Sequence, residues 1–113
     1  MGSNNREKVI TFQNASTVIG NGAELIVNKN NMLMNIDFSG TSTSFDTIFE
    51  VLVFPDGVWK AVRCANLTTL AMNTNCTAND TMWQMSLEGI SKARVRIISI
   101  ANGDLTIRGA IVD

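Results

Sequence analysis

The last third of the chain, residues 82–112, contains three consecutive segments in which large apolar residues alternate with smaller or polar ones. The apolar positions are Trp83, Met85 and Leu87, then Ala93, Val95 and Ile97, then Leu105, Ile107 and Ile111. Successive side chains of a β-strand point to opposite faces, so each segment is predicted to be a strand with one buried and one wet side. Turn sequences separate the segments at residues 88–89 and 102–104. This pattern constrains the chain to build antiparallel sheets.

The middle of the chain continues in the same way. Residues 32–38 alternate between apolar and polar, whereas residues 47–54 are apolar except for Glu50, which is typical of a central strand covered on both faces. The sequence Pro55-Asp56-Gly57 then predicts a turn, because proline fixes φ and glycine supplies a positive φ. Residues 59–64 are predicted to form the return strand of this hairpin.

Residues 65–80 are rich in Asn and Thr and form the longest region without a strand pattern. We predict a loop here, with one short strand near residues 69–72. No segment of the chain has helical periodicity, and the alternating segments number seven or eight. The sequence therefore predicts an all-β fold, an antiparallel β-sandwich of jelly-roll type with seven or eight strands.

The length of 113 residues suits a single domain. Residues 1–8 are polar and lack a periodic apolar pattern, so we predict a flexible N-terminal arm. Residues 9–113 are predicted to form one β-sandwich domain. At its start, Val9, Ile10 and Phe12 are expected to pair at a sheet edge and to contact a partner by strand addition.

Charge and hydropathy exclude several classes of partner. Nine basic and ten acidic residues give a net charge of −1, which provides no attraction for a phosphate backbone, so no nucleic acid is expected. No run approaches the roughly 18–20 apolar residues of a membrane span, and the N-terminal residues lack the apolar core of a secretory signal. We therefore expect no membrane partner and synthesis in the cytoplasm.

The inventory of reactive side chains argues against an enzyme. The chain has no histidine and no tyrosine, so it lacks the commonest general acid–base group. Cys64 and Cys76 are too few for a structural zinc site, and we expect two free thiols, Cys64 on a strand and Cys76 in a loop. Asp37 and Glu50 would meet only by chance of the tertiary fold. No catalytic residue, metal or cofactor is expected.

Two tryptophans could serve as stacking platforms for a sugar, since an indole covers the apolar face of a pyranose ring. Trp83 shares its strand face with Met85 and Leu87, which favours burial in the core. Trp59 lies two residues after the turn at Asp56-Gly57, and its position leaves both burial and exposure open. Trp59 and Asp56 are therefore candidate contacts for a ligand or a partner.

The order of several short motifs resembles that of small β-sandwich virion structural proteins of tailed phages and prophages. The matching features cover a little over half of the chain, from Phe49 to the C-terminus. None is diagnostic alone, and their order and spacing carry the resemblance. They are Asp56-Gly57-x-Trp59, residues 66–69 (Asn-Leu-Thr-Thr), Trp83, Gly89-Ile90, Arg94-x-Arg96-Ile97 and residues 103–109.

The resemblance implies a non-enzymatic virion structural protein, made in the host cytoplasm and located in the virion. Its implied role is that of a capsid decoration or head-fibre-like protein, or else a small tail component. Its expected partners are other virion proteins and further copies of itself in a homo-oligomer, with a trimer as the predicted state. The alternative is a carbohydrate-binding module for cell-surface attachment, for which Trp59 would be the platform.

Overall fold

The computed structural model describes residues 8–112, and these form eleven β-strands and no helix. The strands vary in length from two residues to ten. In chain order they are β1 (Lys8–Ser16), β2 (Leu25–Ile26), β3 (Leu33–Gly40), β4 (Ser44–Leu52), β5 (Lys60–Ala61), β6 (Cys64–Asn66), β7 (Met72–Asn73), β8 (Asn75–Cys76), β9 (Met82–Ser86), β10 (Lys92–Ala101) and β11 (Leu105–Val112). Within residues 8–112 there is no helix of the length and apolarity needed to cross a membrane.

The strands form two antiparallel sheets packed face to face. The larger sheet has the order β1-β11-β3-β9-β6-β7, and the smaller has the order β2-β10-β4-β5 with β8 beside β4. The three C-terminal segments form β9, β10 and β11 as the alternation predicts. The prediction of an all-β antiparallel sandwich is therefore confirmed. The finer jelly-roll assignment stays a prediction.

The core lies between the sheets and is built from the apolar positions of the alternating segments. Its centre is a run of aromatic rings: Phe49 lies edge-on to Phe38, with centroids 6.0 Å apart, and 5.3 Å from the Trp83 ring. Trp83 is buried, as the sequence predicts, and its indole Nε1 donates a hydrogen bond to Thr81 Oγ1. This hydrogen bond satisfies the polar end of a large apolar side chain, so the ring can be buried at little cost.

The region after β4 differs from the prediction in strand number and arrangement. The expected return strand, residues 59–64, is divided: β5 pairs with β4 in the smaller sheet, while β6 pairs with β9 in the larger one. Apolar alternation does not reveal in which sheet a strand pairs, and the chain crosses between the sheets after Val62. Three short strands β6, β7 and β8 also lie where one was expected, so the count is eleven and not seven or eight.

Side-chain hydrogen bonds explain why β6, the first of the short strands between residues 64 and 76, ends after three residues. Asn66 Oδ1 accepts hydrogen bonds from the backbone amides of Thr68 and Thr69, which turns the chain directly after β6. Cys76, which was predicted to lie in a loop, is in β8 and is buried. The polar composition of this region predicted its turns, but it gave no sign of the two-residue strands β7 and β8.

The N-terminal strand also corrects a boundary. Lys8 is the first residue of β1, so it does not belong to a flexible arm, and residues 1–7 of that predicted arm lie outside the described residues. The predicted edge pairing is confirmed: β1 forms the edge of the larger sheet and pairs with β11, with Val9 opposite Ala110 and Ile10 opposite Gly109. Phe12, however, is buried in the core.

Candidate interaction surface

The loop between β4 and β5 carries three exposed apolar side chains. Val53, Phe54 and Val58 are 49%, 68% and 76% exposed, and we call residues 53–58 the apolar loop. The predicted turn is present, because the Gly57 amide donates to the Phe54 carbonyl at 2.8 Å. Asp56 is exposed within this turn. Large apolar side chains are mostly buried in folded domains, so three exposed ones in one short loop form a candidate contact surface.

The sequence pattern misplaced these side chains. The apolar run that predicted a strand over residues 47–54 continues two residues beyond the last strand residue, Leu52. Leu52 is buried, whereas Val53 and Phe54 lie beyond the sheet and have no facing sheet to cover them. The signal that could have separated the two groups is Pro55, because proline has no backbone amide to donate and begins the turn, so the residues just before it lie at the end of the strand.

Two shallow hollows flank the apolar loop. The first has a volume of about 340 Å³ and is lined by Val51, Val53, Phe54, Gly57, Val58 and Lys60. The second, of about 530 Å³, lies between this loop and the loops that follow β2 and β9, and its lining includes Lys29 and Ile90. Either hollow could admit a side chain of a partner, and each is lined by one lysine, Lys60 in the first and Lys29 in the second.

Trp59 adjoins the apolar loop and belongs to a charged cluster on the outer face of the smaller sheet. The Arg94 guanidinium lies over the Trp59 ring, with its Cζ 4.1 Å from the ring centroid. Arg94 Nε donates to Glu50 Oε1 at 2.9 Å, and Arg96 donates to both carboxylate oxygens at 3.0 and 3.1 Å. Trp59 is half-buried, so it is neither a core residue nor a free platform.

The charge cluster is largely removed from water. The Glu50 and Arg94 side chains are 8% and 11% exposed, and that of Arg96 is 35% exposed. Burial by itself would raise the pKa of Glu50, but the hydrogen bonds and positive charges of Arg96 and Arg94 outweigh it and lower the pKa below its ordinary value. Hydrogen bonding to Glu50 raises the pKa of Arg96. Two guanidiniums facing one carboxylate leave a local charge of +1 beside the apolar loop.

The other residues considered for chemistry are far from this surface or buried. Burial raises the pKa of Cys64 to about 12 and also raises the pKa of Cys76, so both thiols are protonated near neutral pH. Asp37 projects from the outer face of the larger sheet and Glu50 from that of the smaller, so this carboxylate pair does not form. In the part of the chain that the structure describes, no group of three or more His, Cys, Asp or Glu side chains could hold a metal ion.

The N-terminal candidates form a separate region. Val9 is half-exposed on the outer face of the larger sheet, where it lines a hollow of about 310 Å³ with Asp37, Met82 and Arg108. Ile10 packs partly against the core, and Phe12 is inside it. A contact through Phe12 would require β1 to leave the fold, so only Val9 and part of Ile10 are accessible to a partner. Trp59 and Asp56 lie in the connection between β4 and β5 of the smaller sheet, so the structure does not bring the two groups together.

The chain is similar to known proteins in sequence and in fold. The sequence model of the XepA family matches residues 6–111, nearly the whole chain. The chain belongs to the XepA family. No curated protein sequence matches this XepA-family chain.

Two crystal structures share the fold of this XepA-family protein. The SPBc2 prophage-derived protein YomS is 24% identical with a TM-score of 0.89, over 96% of this chain and 94% of YomS. The PBSX exported protein XepA is 18% identical with a TM-score of 0.91, over all of this chain but only 40% of XepA. These relatives support the resemblance to phage and prophage proteins. A structural role in the virion stays a prediction.

Proposed function

We propose that this XepA-family chain is a non-enzymatic structural protein of a phage particle, a capsid decoration or head-fibre-like subunit that attaches through the apolar loop. The observation that carries the proposal is the exposure of Val53, Phe54 and Val58 together on one loop of a rigid sandwich. A decoration protein needs a rigid domain and an exposed surface that a neighbouring protein can bury. The apolar loop offers such a surface, and it follows strand β4, which lies in the interior of the smaller sheet.

The neighbouring charges suit a protein partner. Tryptophan and arginine are enriched at the centres of protein interfaces, and the Trp59–Arg94 pair lies beside the loop. Burial of each loop side chain contributes about 1.5–3 kcal/mol, and association costs offset much of that sum. A single copy would therefore bind weakly, and several copies in one oligomer would bind far more tightly through their combined contacts.

A non-enzymatic role fits the state of the reactive groups. Both cysteine thiols are buried and protonated near neutral pH, so neither is an activated nucleophile. Glu50 is engaged by two arginines and is held in its ionised form, so it is poorly placed to act as a general acid.

The carbohydrate-binding alternative has weaker support. A sugar platform needs an open ring face, and Arg94 already covers one face of Trp59. In addition, the apolar loop beside it offers few hydrogen-bonding groups for sugar hydroxyls apart from Asp56. We therefore keep sugar binding as an outcome of the test and not as a second proposal.

The test is attachment to phage particles that lack the protein. Purified wild-type chain is mixed with such particles, and the bound fraction is measured by cosedimentation. A variant with Val53→Ser, Phe54→Ser and Val58→Ser should bind at least about tenfold more weakly, since it loses several kcal/mol of apolar burial. Its fold should be unchanged because these side chains are exposed.

The matched control is a variant with Leu70→Ser and Met72→Ser, two exposed apolar residues elsewhere on the surface. The control should bind like the wild type. Equal binding by all three proteins would exclude the apolar loop as the attachment surface. Wild-type protein that stays in the supernatant, or that binds isolated cell-wall glycans and not particles, would contradict the virion role.

We also propose that the protein forms a homo-oligomer, with three copies as the expected number. Capsid decoration proteins commonly occupy symmetry axes, and the low fraction of charged residues, 17%, suits buried contacts between subunits. Analytical ultracentrifugation should give the mass of a trimer, three times the chain mass of 12.3 kDa. A single species with the mass of a monomer at millimolar concentration would contradict this prediction and leave the fold untouched.

A further inference from the structure

One edge of β10 is covered by a segment that is not a strand. β2 pairs only with the beginning of β10, at Lys92 and Ala93. Further along, the edge faces residues 17–24, which we call the strap. The strap and β10 exchange two hydrogen bonds, from the Ile97 amide to the Gly20 carbonyl at 2.9 Å and from the Gly20 amide to the Ile97 carbonyl at 3.2 Å.

Few other contacts hold the strap. The Ala23 amide donates to the Phe12 carbonyl at 2.9 Å, and Gln13 Nε2 donates to the Gly20 carbonyl at 3.2 Å. All eight strap residues are exposed, including the apolar Val18 and Ile19. The ion pair between Glu24 and Lys92 is also exposed and adds little. Lifting the strap would therefore break a handful of hydrogen bonds, and the strap's own apolar side chains, Val18 and Ile19, are already exposed to water.

The residues on either side of the strap are anchored. Gln13 is buried, and its Nε2 also donates to the Val95 carbonyl at 3.1 Å, which ties β1 to β10 independently of the strap. Ser16 Oγ donates to Gln13 Oε1 at 2.8 Å and holds this amide in place. At the other end Leu25 is buried in the core. The two sheets can thus stay folded and connected while the strap moves.

We propose that the strap opens as a unit from the folded sandwich and acts as a removable cover on the edge of β10. Opening frees the amide and carbonyl of Ile97 and the carbonyl of Phe12. The strap protects this edge in the closed state.

Amide hydrogen exchange, resolved by residue in the wild-type protein, tests the proposal. Successive amides of a strand point to opposite edges, so the Ile97 amide faces the strap and the Arg96 amide faces β4. We expect Gly20, Ala23 and Ile97 to share one protection factor, about 100-fold lower than that of Arg96, as for a local opening. Equal protection of Ile97 and Arg96 would show that the strap opens only when the protein unfolds, and would overturn the proposal.

Three glycines provide one variant that should open the strap and two control variants. Gly22 has φ +71°, and a Cβ there would lie 2.3 Å from the Phe12 carbonyl oxygen and 2.4 Å from Gln13 Nε2, so Gly22→Ala should lift the strap. Gly89 has a similar φ of +78° with open space around it, so Gly89→Ala reproduces the backbone strain without the contact. Gly20→Ala has neither effect, since nothing lies near its Cβ position.

Gly22→Ala should lower the protection of Ile97 at least tenfold more than that of Arg96, and the two controls should not. A Gly22→Ala variant in which both amides lose protection equally, or in which neither does, would contradict a separate opening of the strap. If this variant does not fold, the wild-type exchange pattern alone decides.

Discussion

Replacing Glu50 with glutamine should lower the free energy of unfolding by about 3 kcal/mol at pH 7. Glu50 compensates the charges of Arg94 and Arg96, and its loss leaves the Arg94 guanidinium, 11% exposed, without a countercharge. Removal of one partner from a buried ion pair costs about 3–5 kcal/mol, and the partial exposure of Arg96 places this case at the lower end. Urea denaturation of the two proteins measures the difference.

The contacts of Glu50 with the two arginines also make the stability depend on pH in a defined direction. The pKa of Glu50 is lowered in the folded state from its ordinary value of 4.5, so the unfolded chain binds this proton more tightly. The stabilisation is therefore complete above the ordinary value and is lost as the pH falls through the lowered folded value. The difference between wild type and Glu50→Gln should narrow below pH 4.5. A difference independent of pH would contradict the pairing.

The exposed pair between Lys92 and Glu24 is the control for this experiment. Its atoms are 3.4 Å apart, and both side chains are more than a third exposed. Surface pairs of this kind contribute about 0–1 kcal/mol, so Glu24→Gln should change the stability little. If Glu50→Gln and Glu24→Gln lower the free energy of unfolding equally, the charge cluster beside Trp59 stabilises the fold no more than a surface ion pair does.

Phe49→Ala should lower the free energy of unfolding by about 3–5 kcal/mol. Phe49 is fully buried and touches the rings of Phe38 and Trp83, so its removal loses apolar burial and leaves a cavity that the two sheets cannot close. Chemical denaturation measures this change, and the melting temperature should fall with it.

Phe54→Ala is the matched control, since the same side chain is removed from a position that is 68% exposed. We expect a change within about 0.5 kcal/mol, typical of surface substitutions. Phe54→Ala should instead weaken attachment to particles, and a large loss of stability in this variant would show that the loop serves the fold and not a partner.

The sequence by itself determined the three C-terminal strands and their buried faces. The alternation of Trp83, Met85 and Leu87 predicts one buried face for β9, and the structure buries all three residues. Alternation is a local property of the backbone, because every second side chain shares a face whatever lies opposite. The turn at Pro55-Asp56-Gly57 was equally predictable, since proline fixes φ where it stands, although Gly57 does not adopt the positive φ expected of it.

Only the tertiary structure decided which strands are neighbours and what each outward face meets. Alternation places Arg94 and Arg96 opposite the apolar face of β10. Because β10 pairs with β4, Glu50, 44 and 46 residues away, accepts hydrogen bonds from both arginines, and Glu50 and Arg94 are largely removed from bulk water while Arg96 stays 35% exposed. The division of residues 59–64 between the sheets, the exposure of Phe54 and the burial of Phe12 have the same origin. Period-2 patterns specify a face but not a partner, and partner choice depends on contacts between residues far apart in the chain.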